Sequence, residues 1–318
     1  MRYIESFREG DQVSDIYLCK QKQTLVSKVG KNYDSLTLQD KTGVVDGKIW
    51  DPNSAAIEDY DSMQYVFINA EVTIFNGKPQ LKITRLRKVR DGEFNPADYV
   101  PCSPYDIDEM FTELKKLIAS VKNPYLGKLL KMFFEEDEKF AAAFKLHSAA
   151  KSVHHGFAGG LLQHTLAVTK TCDFLASSYG ILNRDLLVTA AIFHDAGKIR
   201  ELSSFPLNDY TDEGQMIGHI VIGSEMVTEA AAKIEGFPHR LLTELKHCIL
   251  AHHGEYEFGS PKRPAIIEAV ALAYADNLDA KIETLTEAFN GVTPGDPTWL
   301  GYNKWLDTNI RRTGIYEV

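Results

Sequence analysis

The chain has 318 residues, 44% hydrophobic and 25% charged, an ordinary balance for a soluble globular protein and long enough to expect two domains. No apolar run approaches the roughly 20 residues that cross a bilayer, and the opening MRYIESFREGDQV lacks the apolar stretch of a secretory signal. Cys19, Cys102, Cys172 and Cys248 form neither a C-x-x-C pair nor a dense framework, so a reducing, cytoplasmic setting is expected, with no membrane partner. The net charge of −9 is uneven: residues 1–100 hold 14 Lys+Arg against 15 Asp+Glu, and the other 218 hold 21 against 29. An acidic domain can still take a phosphate ester if metal ions supply the positive charge.

Residues 12–90 read as strands. Asp34–Asp40 alternates, with Leu36 and Leu38 on one face and Ser35, Thr37 and Gln39 on the other. Asp40-Lys41-Thr42-Gly43 is a turn and Val44–Trp50 returns. Asp51 as N-cap and Pro52 at the first position predict a short helix over 51–60. Tyr65–Phe75 and Pro79–Val89 flank Asn76-Gly77, a strong hairpin signal. Five strands with a helix between the third and fourth is the order of an OB-fold barrel, placed here at 1–90. Residues 91–105 carry three prolines and no periodicity, as a linker does.

From 106 to 318 the spacing predicts an all-α domain with a C-terminal tail. Met110, Leu114 and Leu117 share a helix face, as do Leu161, Thr165, Val168 and Cys172, then Leu186, Ala190 and Phe193. A long apolar helix is predicted from about Ile266 to Ala288. The stretch Asn290–Val318 is rich in turn residues but holds Trp299, Tyr302 and Trp305, which are expected to pack back on the helices.

All 10 histidines fall between His147 and His253. Imidazole is the commonest metal ligand among side chains, because its neutral form offers a nitrogen lone pair near neutral pH. His164 sits in GGLLQHT, His194-Asp195 closes DLLVTAAIFHD ahead of Gly197 and Lys198, His219 opens the apolar GHIVIGSEM, His252-His253 ends LKHCILAHHG, and Asp276 interrupts AVALAYADNLDA. Each polar group stands where burial is expected, and burying it unpaired would cost several kcal/mol. A shared metal site satisfies all of them. Seven donors exceed one tetrahedral ion and suit two ions of higher coordination, with Asp195 as the carboxylate bridge. His147, His239 and His247 match no such context and read as surface or packing residues.

The series His164, His194-Asp195, His252-His253 and Asp276 resembles the H…HD…HH…D signature of the HD superfamily of phosphohydrolases. With a barrel ahead of it, and with SVHHGFAGGLLQHT and FHDAGK, the chain resembles over nearly its whole length the YhaM-type 3′–5′ exoribonucleases of Gram-positive bacteria. What the resemblance implies is a manganese- or cobalt-stimulated hydrolase that removes nucleotides from the 3′ end of single-stranded RNA, with single-stranded DNA as an alternative substrate. It implies that His164, His194, Asp195 and Asp276 hold one ion, and that Asp195 bridges to a second held by His219, His252 and His253. Mn2+ is the expected metal, with Co2+, Fe2+, Ni2+ or Zn2+ equally compatible with these donors. HD-GYP cyclic-dinucleotide phosphodiesterases carry Gly-Tyr-Pro after the paired histidines, whereas this chain reads HHGEYEFGSPKRP.

Catalytic roles fall to Asp195 and to Lys198, which is placed to meet phosphate oxygens as charge builds on them. The alternative for Lys198 is a cation stabilising a helix C-terminus. His154 and His155 read either as phosphate contacts or as a polar loop pair. In the barrel, Lys78, Lys82, Arg85, Arg87, Lys88 and Arg90 fall in Val72–Arg90 with no acidic residue between them, and Lys20, Lys22, Lys28 and Lys31 add charge. Such a groove tracks a nucleic-acid backbone while Tyr33, Trp50 or Phe75 stack bases. Two other readings stay open: a phosphohydrolase of small nucleotides or cyclic dinucleotides, and a nucleic-acid-binding regulator with an inert HD domain.

Overall fold

A computed structural model describes the chain apart from residues 28, 91, 96, 97, 101, 152–155, 291–297, 305 and 314–318 and the side chains of 287 and 290. Lys28, His154, His155 and Trp305 therefore lie outside the described residues. The chain divides into two compact units, Met1–Pro104 with Ser204–Asp209, and Tyr105–Ser203 with Tyr210–Val318.

The first unit is a closed five-stranded barrel, β1 (Gln12–Val26), β2 (Asn32–Asp40), β3 (Gly43–Ile49), β4 (Gln64–Phe75) and β5 (Lys78–Lys88), paired in the cyclic order β1-β2-β3-β5-β4. Closure requires one parallel contact, Gly47 opposite Leu81 between β3 and β5. It also requires β1 to serve two partners: Gln12–Cys19 pairs with β4, Leu18–Val26 pairs with β2, and a bulge between Cys19 and Gln21 re-aims the strand. This is the OB-fold order. The alternation puts Tyr17, Leu36, Leu38, Ile49, Ile68 and Leu81 inside, each at most 1% exposed. At Gly47 a Cβ would meet Ile83 Cδ1 at 2.7 Å, so a larger residue there requires the Ile83 side chain to move. Asn76 and Gly77 both take positive φ, 50° and 75°, as the predicted tight hairpin requires.

Two expectations give way. Residues 51–60 are turns and not a helix. Leu86 N donates to Ala56 O and Glu58 N donates to Leu86 O, so pairing with β5 takes the backbone groups a helix would use. The segment read as a linker is in part laid on the barrel: Tyr99 is buried, its carbonyl accepts from Gln39 Nε2 at 2.9 Å, and Phe94 and Tyr99 meet Tyr65 with ring centroids 3.9 and 5.0 Å away.

The second unit is helical: α1 (Ile107–Ala119), α2 (Pro124–Lys131), α3 (Glu138–Leu146), α4 (Gly160–Ser178), α5 (Arg184–Phe193), α6 (Lys198–Glu201), α7 (Asp212–Met216), α8 (His219–Ala231), α9 (His239–Leu250) and α10 (Ile267–Asn290). Asp106, Asn123, Asp137, Asn183 and Thr211 cap helix starts by accepting from backbone N–H groups in the first turn. Every residue of Leu186–Phe193 is buried, which makes α5 the central helix of this unit. Phe133, Phe134, Phe140, Phe144 and Phe193 pack mainly edge-to-face beside it. The departure from all-α is a hairpin, β6 (Trp299–Asn303) with β7 (Thr308–Arg311). Expected to pack on the helices, Trp299 and Tyr302 are instead 58% and 60% exposed, while Ile310 is buried. No helix among the described residues is long and apolar enough to cross a membrane.

Candidate metal centre

The site collects at helix ends. His164 lies in the first turns of α4, His194 caps the C-terminus of α5 with Asp195 next, His219 begins α8, His252 and His253 follow the end of α9, and Asp276 sits within α10. Close packing brings these ends together. A Cβ on Gly197 would stand 2.1 Å from His219 O and 2.7 Å from Gly223 N, so only glycine lets the turn after Asp195 lie against the start of α8.

Two triads result, each with donor atoms mutually within 4.8 Å: His164, His194 and Asp276, and His219, His252 and His253. Asp195, 2% exposed, stands between them. Its Oδ2 is 3.4 Å from His164 Nε2 and 3.5 Å from His194 Nε2. Its Oδ1 is 3.4 Å from His219 Nε2 and 3.6 Å from His252 Nε2. One carboxylate thus turns an oxygen to each triad.

Each imidazole is held by a hydrogen bond at Nδ1, with Nε2 turned toward the centre. Nδ1 of His194 donates to Ala191 O at 2.7 Å, Nδ1 of His252 to Ile249 O at 2.7 Å, and Nδ1 of His253 to Phe258 O at 2.8 Å. Nδ1 of His164 meets Asp279 Oδ2 at 2.7 Å, and Nδ1 of His219 meets Glu201 Oε1 at 2.8 Å. Hydrogen bonds of this kind fix the tautomer and ring orientation of metal-ligating histidines. The Nε2 atoms of His164 and His194 stand 3.1 Å apart, aimed at one point.

Asp195 Oδ1, His219 Nε2 and His252 Nε2 are buried and have no hydrogen-bond partner among the described residues. Such groups cost several kcal/mol each unless a ligand satisfies them, and three on one point fit a cation. The charge states agree. Burial opposes ionisation of Asp195, but the neighbouring Lys198 ammonium and His194 hold its carboxyl well below the usual carboxylate range. Against the same burial, the hydrogen bond from His164 keeps Asp276 low. Burial drives His194 down to about 4, and burial with His252 and His219 beside it drives His253 to about 4. For His164 burial is outweighed by hydrogen bonds to Asp276 and Asp279, which raise it to about 10. The ionised carboxylates and the neutral imidazoles of His194 and His253 are donors that divalent ions of intermediate softness take, and an ion would have to displace the proton that His164 holds. Seven nitrogen and oxygen donors with no thiolate therefore fit two such ions.

Lys198 is the first residue of the four-residue α6, and its Nζ lies 2.7 Å from Asp195 Oδ2. Burial would lower its pKa, yet Asp195 raises it, so the ammonium persists. His147 is not a surface residue: it is buried, with Nε2 2.8 Å from Lys198 O. His239 is exposed, and His247 is half-buried and accepts from Ala265 N. The sequence reading missed Asp279 and Glu201. Asp279 had a signal, since it follows Asp276 by three residues and so shares its helix face; Glu201 had none.

On the barrel, Lys82 and Arg85 are exposed on β5. Lys82 pairs with Lys48 of β3, and Lys48 pairs with Ser35 of β2 and donates to its Oγ at 2.6 Å. Two residues along β2 from Ser35, Tyr33 stacks on Trp50 with centroids 4.9 Å and planes 30° apart, and Trp50 is 52% exposed. Phe75 is also exposed. Lys22 is otherwise engaged, donating to Tyr60 O at 2.8 Å above the Tyr60 ring, and Arg87 pairs with Glu93.

The HD domain family model matches residues 161–281. The 3′–5′ exoribonuclease YhaM of Bacillus velezensis is 34% identical over 290 residues, 91% of each chain, and that of Bacillus subtilis matches equally. The same enzyme of a Geobacillus species is 33% identical over 296 residues, 93% of this chain and 90% of that one. Among solved structures, the second OB-fold domain of replication protein A from Methanococcus maripaludis aligns with 30% of this chain and 98% of its own, at 15% identity and a TM-score of 0.22.

Proposed function

The chain belongs to the family of the YhaM 3′–5′ exoribonucleases, and we propose that it shortens single-stranded RNA from the 3′ end by hydrolysis, releasing nucleoside monophosphates. The observation that carries the chemistry is Asp195, whose two oxygens face two separate triads while Oδ1, His219 Nε2 and His252 Nε2 have no hydrogen-bond partner among the described residues. His164, His194, Asp195 and Asp276 would hold one divalent ion, and Asp195, His219, His252 and His253 a second. When bound, such ions supply Lewis acidity toward a phosphate ester and a nucleophile at neutral pH. Manganese is the proposed metal.

The chain's own residues do the rest. Asp279 and Glu201 hold His164 and His219 with Nε2 facing inward. Lys198 keeps a charged ammonium against Asp195 Oδ2, where it neutralises the carboxylate and can meet a non-bridging phosphate oxygen. The barrel face bearing Lys48, Lys82 and Arg85 beside the Tyr33–Trp50 stack is proposed to hold the single strand, by charge along the backbone and by stacking under the bases. The four free cysteines suit work in the cytoplasm.

Digestion of a 5′-labelled RNA with Mn2+, beside a chelator control, tests the reading. A ladder shortening from the 3′ end only when metal is present is expected. Shortening from the 5′ end, internal cuts, or hydrolysis of free nucleotides alone would refute it.

A further inference from the structure

His253 does two things at once. It completes the second triad, and it lines a cavity of ≈ 350 Å³ walled by Phe258 and by Val270, Tyr274 and Asn277 of α10. Metal ligand and wall are one piece of structure. His253 Nδ1 donates to Phe258 O at 2.8 Å. Between His253 and Glu255, Gly254 takes φ +81° and lies so close to α10 that an added Cβ would stand 3.7 Å from Ala273 Cβ. Asp276, a donor of the first triad, lies on the same stretch of α10 as Tyr274 and Asn277, within one turn. A molecule in this cavity is therefore beside the second triad, through His253.

We propose that this cavity seats the 3′-terminal nucleoside of the RNA, its base against Tyr274 and its 5′ phosphate at the metal centre. The proposal rests on the exonuclease reading above. The wall chemistry selects the occupant. Tyr274 is 74% exposed and Phe258 57%, so two aromatic rings offer their faces to whatever enters. Val270 and Pro264 add apolar surface, and Asn277 presents one side-chain amide. The Arg263 guanidinium pairs with Glu255 and sits 5.4 Å from the Tyr256 ring, so the positive charge on this wall is offset by an adjacent carboxylate. A cavity lined by polar and apolar surface in nearly equal parts, with two aromatic rings and one amide, suits the mixed surface of a base and sugar.

The arrangement also fits the task. An enzyme that removes every terminal nucleotide in turn needs affinity for any base. Stacking provides that, because every base has a π-face, whereas hydrogen-bond readout would stall at the wrong letter. A cavity of this size takes one nucleoside.

The test compares adenosine 5′-monophosphate with ribose 5-phosphate, which shares the sugar and phosphate but lacks the base, by calorimetric titration of the Mn2+-loaded protein. Wild type is expected to bind the nucleotide at least about tenfold more tightly, the lower part of the range for a base on an aromatic ring. Tyr274→Ala should bring the two within about twofold while leaving ribose 5-phosphate affinity unchanged, and Tyr274→Phe should restore the preference. Equal affinities in wild type, or a preference that survives Tyr274→Ala, overturns the subsite. A protein that shortens RNA from the 3′ end yet shows no preference for the base loses the subsite and keeps the exonuclease reading. One that leaves RNA intact loses both.

Discussion

Asp40 of the barrel and Asp195 of the helical unit are hidden alike, at 0% and 2% exposure, and their surroundings treat them in opposite ways. Asp40 is saturated: Oδ2 accepts from Ile4 N at 2.7 Å, and Oδ1 accepts from Thr42 N, Thr42 Oγ1 and Gly43 N. Its neighbour Asp34 likewise accepts from Tyr60 Oη and Thr24 Oγ1. Asp195 has Lys198 on one oxygen and only unpaired imidazole nitrogens before the other. A buried carboxylate whose lone pairs are all taken by N–H and O–H groups is fastening a turn. One whose oxygen faces other lone pairs is waiting for a cation. The same residue type at the same depth thus serves stability in one unit and chemistry in the other.

The contrast can be broken by substitution. Asp195→Asn is expected to leave the thermal midpoint close to that of wild type while lowering RNA hydrolysis by about a thousandfold and reducing the metal content. Wild-type rates in added Mn2+ would show the bridge to be misassigned. Asp40→Ala should do the reverse. Stranding three backbone N–H groups costs about 3 kcal/mol in denaturant unfolding, with hydrolysis of a small phosphodiester nearly unchanged; a stability equal to wild type would break the contrast.

Smaller effects sharpen it. Asp279→Asn leaves all seven donors in place but weakens the hold on His164 Nδ1, and should reduce metal affinity between about 10- and 100-fold, read by competition with a chelating dye. An unchanged affinity would mean that packing alone orients the ring. Smallest is the barrel face. Trp50→Ala, which removes half of the stack with Tyr33, should weaken RNA binding about tenfold and spare hydrolysis of a small phosphodiester. Equal losses in both assays would make the stack structural.

Much of this was legible in the chain. The donors were visible because α4, α5 and α10 are so apolar that His164, His194-Asp195 and Asp276 stood out against their own helices. The strands were visible through alternation and Asn76-Gly77. The helix expected at 51–60 was not there, because its capping signal was local and the pairing of Ala56 and Glu58 with Leu86 is not. Tyr99 likewise reads as part of a proline-rich connector until Gln39 and Tyr65 are found against it.

The sequence by itself determined which side chains could bind metal and most of the stretches that are strand or helix, since periodicity and turn chemistry act over a few residues. The tertiary structure alone decided that Asp195 divides its oxygens between two triads, that Glu201 and Asp279 steady His219 and His164, and that His253 borders a cavity with Tyr274. The contacts of Glu201 with His219 and of Asp279 with His164 join positions 18 and 115 residues apart, and no local rule encodes a distance that packing sets.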